Sequence, residues 1–138
     1  MKVFFDTNVY VAEALLGKAA ERMIEATQNA AWRIYASAYL LDECQRVMSE
    51  RLGFSRRLTV LTRQRIMRRA KIVVPGTSRH GVPDDVKDSP ILRAALAAGA
   101  DYLVTNDTHL LALNPCEDMR IISMTDYFDL LVNEGLQT

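Results

Sequence analysis

Short apolar runs alternate with longer stretches of helical periodicity along this chain. Val3-Phe4-Phe5 is a β-prone run stopped by Asp6-Thr7-Asn8, which predicts a buried strand followed by a turn. From about Val9 to Ala31, apolar Ala12, Leu15, Leu16, Ala19, Met23, Ile24 and Ala26 recur at helical spacing, and Gly17-Lys18 divides the stretch into two helices. Arg33-Ile34-Tyr35-Ala36 is a second short strand. Ser37 then caps a helix that runs to about Leu52 and ends at Gly53. Another helix is expected from Ser55 to Lys71, with Leu58, Leu61, Ile66, Met67 and Ala70 available for burial. Ile72-Val73-Val74 is a third strand, stopped by Pro75-Gly76.

From Pro75 to Lys87 no periodicity survives, and Gly76, Gly81 and Pro83 predict a loop of about a dozen residues, a length that in compact domains often serves function. Pro90 suits the first turn of a helix, which spans Ile91 to Ala98 and ends at Gly99. Tyr102-Leu103-Val104-Thr105 is a fourth strand, and Asn106-Asp107 opens a short helix containing Leu110, Leu111 and Leu113. Arg120-Ile121-Ile122-Ser123 is a fifth strand, and Met124 to Val132 a last helix. Strands alternating with helices, with few hairpin signals, predict an α/β fold with a mostly parallel sheet and helices on both faces.

The chain has 138 residues, which suits a single domain over 1–138 with a core large enough to fold unaided. Seventeen basic residues balance seventeen acidic ones, so a uniformly basic nucleic-acid binder is excluded while a local basic patch is not. Two cysteines, Cys44 and Cys116, cannot make a disulfide framework or a thiolate zinc site, and they read as reduced thiols of a cytoplasmic protein. No apolar run approaches the roughly 18 residues of a membrane span, and the opening MKVFFDTNVY reads as neither signal peptide nor anchor.

The carboxylates change the picture. Asp6 follows the first strand, Asp107 follows the fourth, and Asp88 closes the long loop after the third. Ligands of open parallel sheets bind outside the carboxyl ends of the strands, so acids from separate segments can converge on one crevice there. Between the neighbours Asp42 and Glu43, Glu43 is the better candidate. It lies between Leu40 and Val47 at helical spacing and flanks the apolar face, whereas Asp42 lies opposite with Gln45, Arg46 and Ser49. A carboxylate at a core edge needs compensation, and a bound cation provides it. Four converging acids without a balancing cation repel one another. An all-oxygen cluster of this kind suits Mg²⁺ or Mn²⁺, ions that support phosphodiester hydrolysis.

On these residues the chain resembles the PIN-domain ribonucleases, in particular the group that includes toxins of bacterial toxin–antitoxin pairs. The resemblance rests on VFFDTNV with Asp6, Thr7 and Asn8, on SAYLLDE with Ser37 and Glu43, and on KDSPILRAALAAGADYLVTNDTHLL with Asp88, Thr105 and Asp107. It covers almost the whole chain. It implies a three-layer α/β/α sandwich around a five-stranded parallel sheet. It implies metal-dependent cleavage of single-stranded RNA, with Asp6, Glu43, Asp88 and Asp107 as the catalytic, Mg²⁺- or Mn²⁺-binding quartet and Thr7, Asn8 and Thr105 in support. It also implies a homodimer and a small antitoxin partner. Asp84, Asp85 and Asp88 crowd the third motif. Asp88 fits best, because Ile91 and Leu92 follow it at the expected spacing, and Asp85 is the fallback.

Each of these residues also has a purely structural reading. Asp6 can close a turn onto the Asn8 amide, Asp88 and Asp107 can cap helices, Glu43 can be a solvated edge residue, and Thr105 an ordinary strand residue. His80 and His109 read as surface residues. Between Arg51 and Lys71 stand eight of the seventeen basic residues and no acid. Arg56, Arg57, Arg63, Arg65, Arg68 and Arg69 there are candidates for tracking an RNA backbone, or a solvated helix face. The alternative to the nuclease is a non-catalytic module of the same fold that binds RNA or protein. A flap-DNA nuclease is disfavoured, because nothing in the chain resembles a DNA-gripping insertion.

Overall fold

The computed structural model describes residues 1–15, 17–74 and 89–134. Strand β1 (Lys2–Phe5) runs through the middle of a sheet, and Val3, Phe4 and Phe5 are wholly buried. A strand covered on both faces needs apolar side chains at every position, which is why VFF carries no alternation. β2 (Arg33–Ser37) pairs on one side of β1 and β4 (Tyr102–Val104) on the other. β3 (Lys71–Val73) and β5 (Arg120–Ile122) complete the order β3-β2-β1-β4-β5, with every pairing of these strands parallel.

The chain leaves β1 through α1 (Thr7–Leu15) and α2 (Lys18–Asn29), and leaves β2 through α3 (Ala38–Arg46), a π-helical turn (Val47–Arg51) and α4 (Arg56–Arg69). It then enters β4 from α5 (Pro90–Ala97), passes through α6 (Thr108–Leu111) to β5, and ends in α7 (Met124–Asn133). Parallel crossovers are right-handed, so the connections made in the β1-to-β3 direction cover one face and those made in the opposite direction cover the other. The result is the expected three-layer sandwich. Chain direction reverses between β1 and β4, which makes their carboxyl ends the switch point where a crevice opens. On one face, Phe5 meets the edges of Tyr10 and Tyr127 at 6.0 and 5.7 Å, and the Tyr127 hydroxyl lies 2.6 Å from Thr27 Oγ1. Those contacts fasten α1, α2 and α7 over the central strand.

Several boundaries differ from the sequence reading for identifiable reasons. No separate turn follows β1. Helix α1 starts at Thr7, whose amide Asp6 Oδ1 accepts at 2.7 Å. The break between α1 and α2 is real, and the Gly17 amide donates to the Ala12 carbonyl at 3.0 Å. A Cβ at Gly17 would stand 2.4 Å from that carbonyl oxygen, so only glycine fits without moving the backbone. The helix after Ser37 reaches the expected end only by changing to π geometry at Val47. The burial expected of α4 is largely wrong: Ile66 and Ala70 are buried, but Leu58, Leu61 and Met67 are exposed. The loop expected over 75–87 lies outside the described residues. Among the described residues, no helix is long and apolar enough to cross a membrane.

The reason for the altered α4 face is an ion pair. Arg69 turns inward and grips Glu13 of α1 through two bonds of 2.7 Å, with side chains only 9% and 3% exposed. Its guanidinium also lies 5.9 Å from the Tyr10 ring centroid, and Arg65 reaches Glu13 at 3.3 Å. Removing one member of such a pair strands a buried charge. Arg69→Leu is therefore expected to lower unfolding free energy in urea by about 3 kcal/mol, and adding Glu13→Leu to recover most of that loss. A double variant no more stable than Arg69→Leu alone contradicts this.

Candidate active site

At the carboxyl ends of β1 and β4, Asp6 is buried and held by three neighbours. Its Oδ1 accepts from the Thr7 amide, and its Oδ2 accepts from Thr105 Oγ1 at 2.7 Å and from Asn8 Nδ2 at 3.4 Å. Thr105 Oγ1 in turn accepts from the Asp107 amide at 2.9 Å, so one hydroxyl links both segments. The Asx bond expected from Asp6 to the Asn8 amide is not formed; the Thr7 amide and the Asn8 side chain take its place. Asp107 does cap α6, accepting from the His109 amide at 2.8 Å, while its side chain stays exposed. Capping uses Oδ1 and leaves Oδ2 for another partner.

Helix α3 brings Glu43 in from the other side. Ser37 Oγ accepts from the Leu40 amide at 3.2 Å and fixes where the helix starts. Glu43 Oε1 accepts from Thr7 Oγ1, Oε2 accepts from Tyr39 at 3.2 Å, and Arg46 stands 3.8 Å away. Asp42 points outward to Arg63 at 3.0 Å and is 72% exposed, against 24% for Glu43. Asp6, Glu43 and Asp107 thus line one open cleft of about 910 Å³, together with Thr7, Asn8 and His109. Thr105, wholly buried, lies behind Asp6. Asp88 and its fallback Asp85 lie outside the described residues, as do Asp84 and His80.

Electrostatics mark the same place. Burial pushes the Asp6 carboxyl above its ordinary 3.8; the Thr105 and Thr7 hydrogen bonds pull it back, and the charges of Glu43 and Asp107 push it up again. Among the described residues lining the cleft there is no lysine or arginine. This donor set, three carboxylates with hydroxyl and amide support and no lining cation, fits a hard divalent ion. The fit is incomplete. Among the described residues, no three His, Cys, Asp or Glu side chains stand close enough together to hold a metal. Neighbouring Cys44 is pushed up to about 12, chiefly by burial, so its thiol remains protonated.

The six arginines do not line this cleft. Arg69 is consumed by Glu13, Arg65 pairs with Glu13 and Glu21, and Arg63 pairs with Asp42. Arg69 is buried in its pair and so withdrawn from any phosphate-tracking face, whereas Arg63 and Arg65 stay 34% and 40% exposed beside theirs. Arg56, Arg57 and Arg68 remain exposed. Sequence reasoning also passed over two residues of the site. Tyr39 carried only a helical position one turn before Glu43. Asn106 accepts from the Met124 amide at 3.1 Å and ties the β4 end to α7.

A family model described as PIN domain matches residues 2–109, most of the chain, a range within which the four candidate acids fall. No curated protein matches it.

Because its ionised form is disfavoured in the fold, Asp6 subtracts stability at neutral pH. That penalty fades as pH falls through the raised folded value and is gone below 3.8. Without added metal at pH 7, Asp6→Asn is therefore expected to raise the melting temperature by a few degrees, about 1 kcal/mol, and the two proteins to converge under acid. A lower melting temperature for the variant at pH 7 contradicts this.

Proposed function

The chain belongs to the PIN-domain family, and on that premise we propose that it is a divalent-metal-dependent endoribonuclease acting on single-stranded RNA. The family is generally one of nucleases, which supports a phosphodiester hydrolase. The observation that carries the finer reading is the cleft itself: Asp6, Glu43 and Asp107 reach it from three separated segments, and no lysine or arginine is among its described lining residues, Arg46 standing outside the lining at 3.8 Å from Glu43. Like charges brought together at one cleft raise one another's energy unless a cation joins them.

In this reading Asp6, Glu43 and Asp107 would hold Mg²⁺ or Mn²⁺, with Asp88 as the fourth ligand. Such an ion, when bound, polarises a phosphoryl oxygen and lowers the pKa of water. The chain's own contribution is orientation. Thr105 and Asn8 fix the Asp6 carboxylate, and Thr7 and Tyr39 fix Glu43. Supporting bonds of this kind typically alter metal affinity or activity about 10- to 100-fold when removed. Arg56, Arg57 and Arg68 remain candidates for contacting RNA beyond the cleft. The likeness of VFFDTNV and SAYLLDE to toxin sequences supports a role as the toxin of a toxin–antitoxin pair, working in the cytoplasm as a homodimer and restrained by a small antitoxin.

One observation favours a second reading, a PIN module that binds RNA or protein without cutting: the absence, among the described residues, of a carboxylate trio tight enough for a metal. Two measurements separate the readings. Cleavage of an end-labelled single-stranded RNA is expected with Mn²⁺ or Mg²⁺, not with EDTA, and to fall on the order of a hundredfold or more in an identically purified Asp6→Asn protein. Mn²⁺ at a hundred times its dissociation constant is expected to stabilise the protein by about 2.7 kcal/mol. No metal-dependent cutting together with no melting shift at millimolar Mn²⁺ overturns the nuclease reading and favours the binding module.

A further inference from the structure

The cleft that holds the carboxylates also exposes two large apolar side chains, Tyr39 at 40% and Leu15 at 42%. Tyr39 lies one helical turn before Glu43, and its hydroxyl donates to Glu43 Oε2 at 3.2 Å. The phenol oxygen is therefore anchored at the acidic site. Among the described residues, the Tyr39 ring lies outside the aromatic cluster of Phe5, Tyr10, Trp32, Tyr102 and Tyr127. The ring thus keeps part of its surface open to the cleft while its hydroxyl is tethered to a candidate metal ligand.

We propose that Tyr39 is a stacking platform for a nucleobase of the RNA strand, placed so that the adjoining phosphate lies over Asp6, Glu43 and Asp107. This rests on the nuclease reading and adds to it the means of substrate selection. Every base has a π face, so stacking here accepts any of the four. A base within a duplex is already stacked on its neighbours and is not free to take the platform, so the site selects single strands by geometry and not by base-edge hydrogen bonds. The Tyr39–Glu43 bond makes the base and the carboxylate share one rigid unit on α3.

The test uses the intact protein, two 12-nucleotide RNAs, one intact and one abasic at every position, and fluorescence anisotropy in Ca²⁺, with a gel to verify that the RNA stays whole. The wild type is expected to bind the abasic strand more weakly on the order of tenfold. Tyr39→Leu is expected to bind intact RNA more weakly by a similar factor and to become indifferent to the loss of the bases. Tyr39→Phe, which keeps the ring, is expected to retain the sensitivity while losing kcat in Mn²⁺ through its freed Glu43. Equal melting temperatures for the three proteins verify the fold. Tyr39→Leu binding like wild type, or keeping the abasic sensitivity, overturns the proposal, as does a wild type that binds neither of these RNAs. Failure of the nuclease reading looks different: RNA bound with the Tyr39-dependent pattern but never cut in Mn²⁺.

Discussion

A single buried hydroxyl joins the two halves of the site. Thr105 Oγ1 gives its proton to Asp6 at the end of β1 and takes one from the amide of Asp107 beyond β4. The adjacency of β1 and β4 makes that possible, and the reversal of chain direction between them leaves the space in front of it open. The Asp6 amide also donates to the Val104 carbonyl at 2.9 Å, so backbone and side chain together hold the two acids' segments side by side. An unfavourable approach of like charges is thereby part of the folded geometry.

Such an arrangement needs support from elsewhere. The sheet supplies it by being apolar on both faces at β1, so that strand cannot shift to relieve the crowding at its end. The Glu13–Arg69 pair supplies more, since it locks α1, which begins next to Asp6 at Thr7, against α4. The polar interior is thus divided in two: a tightly paired Glu13–Arg69 deep between helices, and a cluster of carboxylates at the mouth of the sheet whose ion pair is the longer, 3.8 Å contact of Glu43 with Arg46.

Much of this was legible in the residues. VFF, RIYA, YLV and RII announce buried strands because a doubly covered sheet tolerates no polar alternation. Glu43 could be preferred to Asp42 because helical spacing alone turns one inward and the other out, as the structure places them. The α4 face was not legible. Its apolar positions suggested burial of Leu58, Leu61 and Met67, but the inward turn of Arg69 answers to Glu13, 56 residues earlier, and no local pattern carries that. Tyr39 escaped notice for the same reason: its importance lies in a partner and an exposed face, both of which are tertiary. Asp88, chosen on motif spacing, falls among residues that the structure does not describe.

The tight passage at Gly17 has a consequence for how the molecule responds to change. Ala12, whose carbonyl the glycine approaches, lines the cleft along with Leu15. A side chain at position 17 would be accommodated by displacing that wall, several residues from Asp6, Glu43 and Asp107. In a mutational scan, such a position imitates a functional residue, showing defective activity while touching nothing that reacts. The cleft's width is therefore partly an inheritance of backbone crowding at a helix junction, and engineering its substrate range could begin there, at a distance from the chemistry.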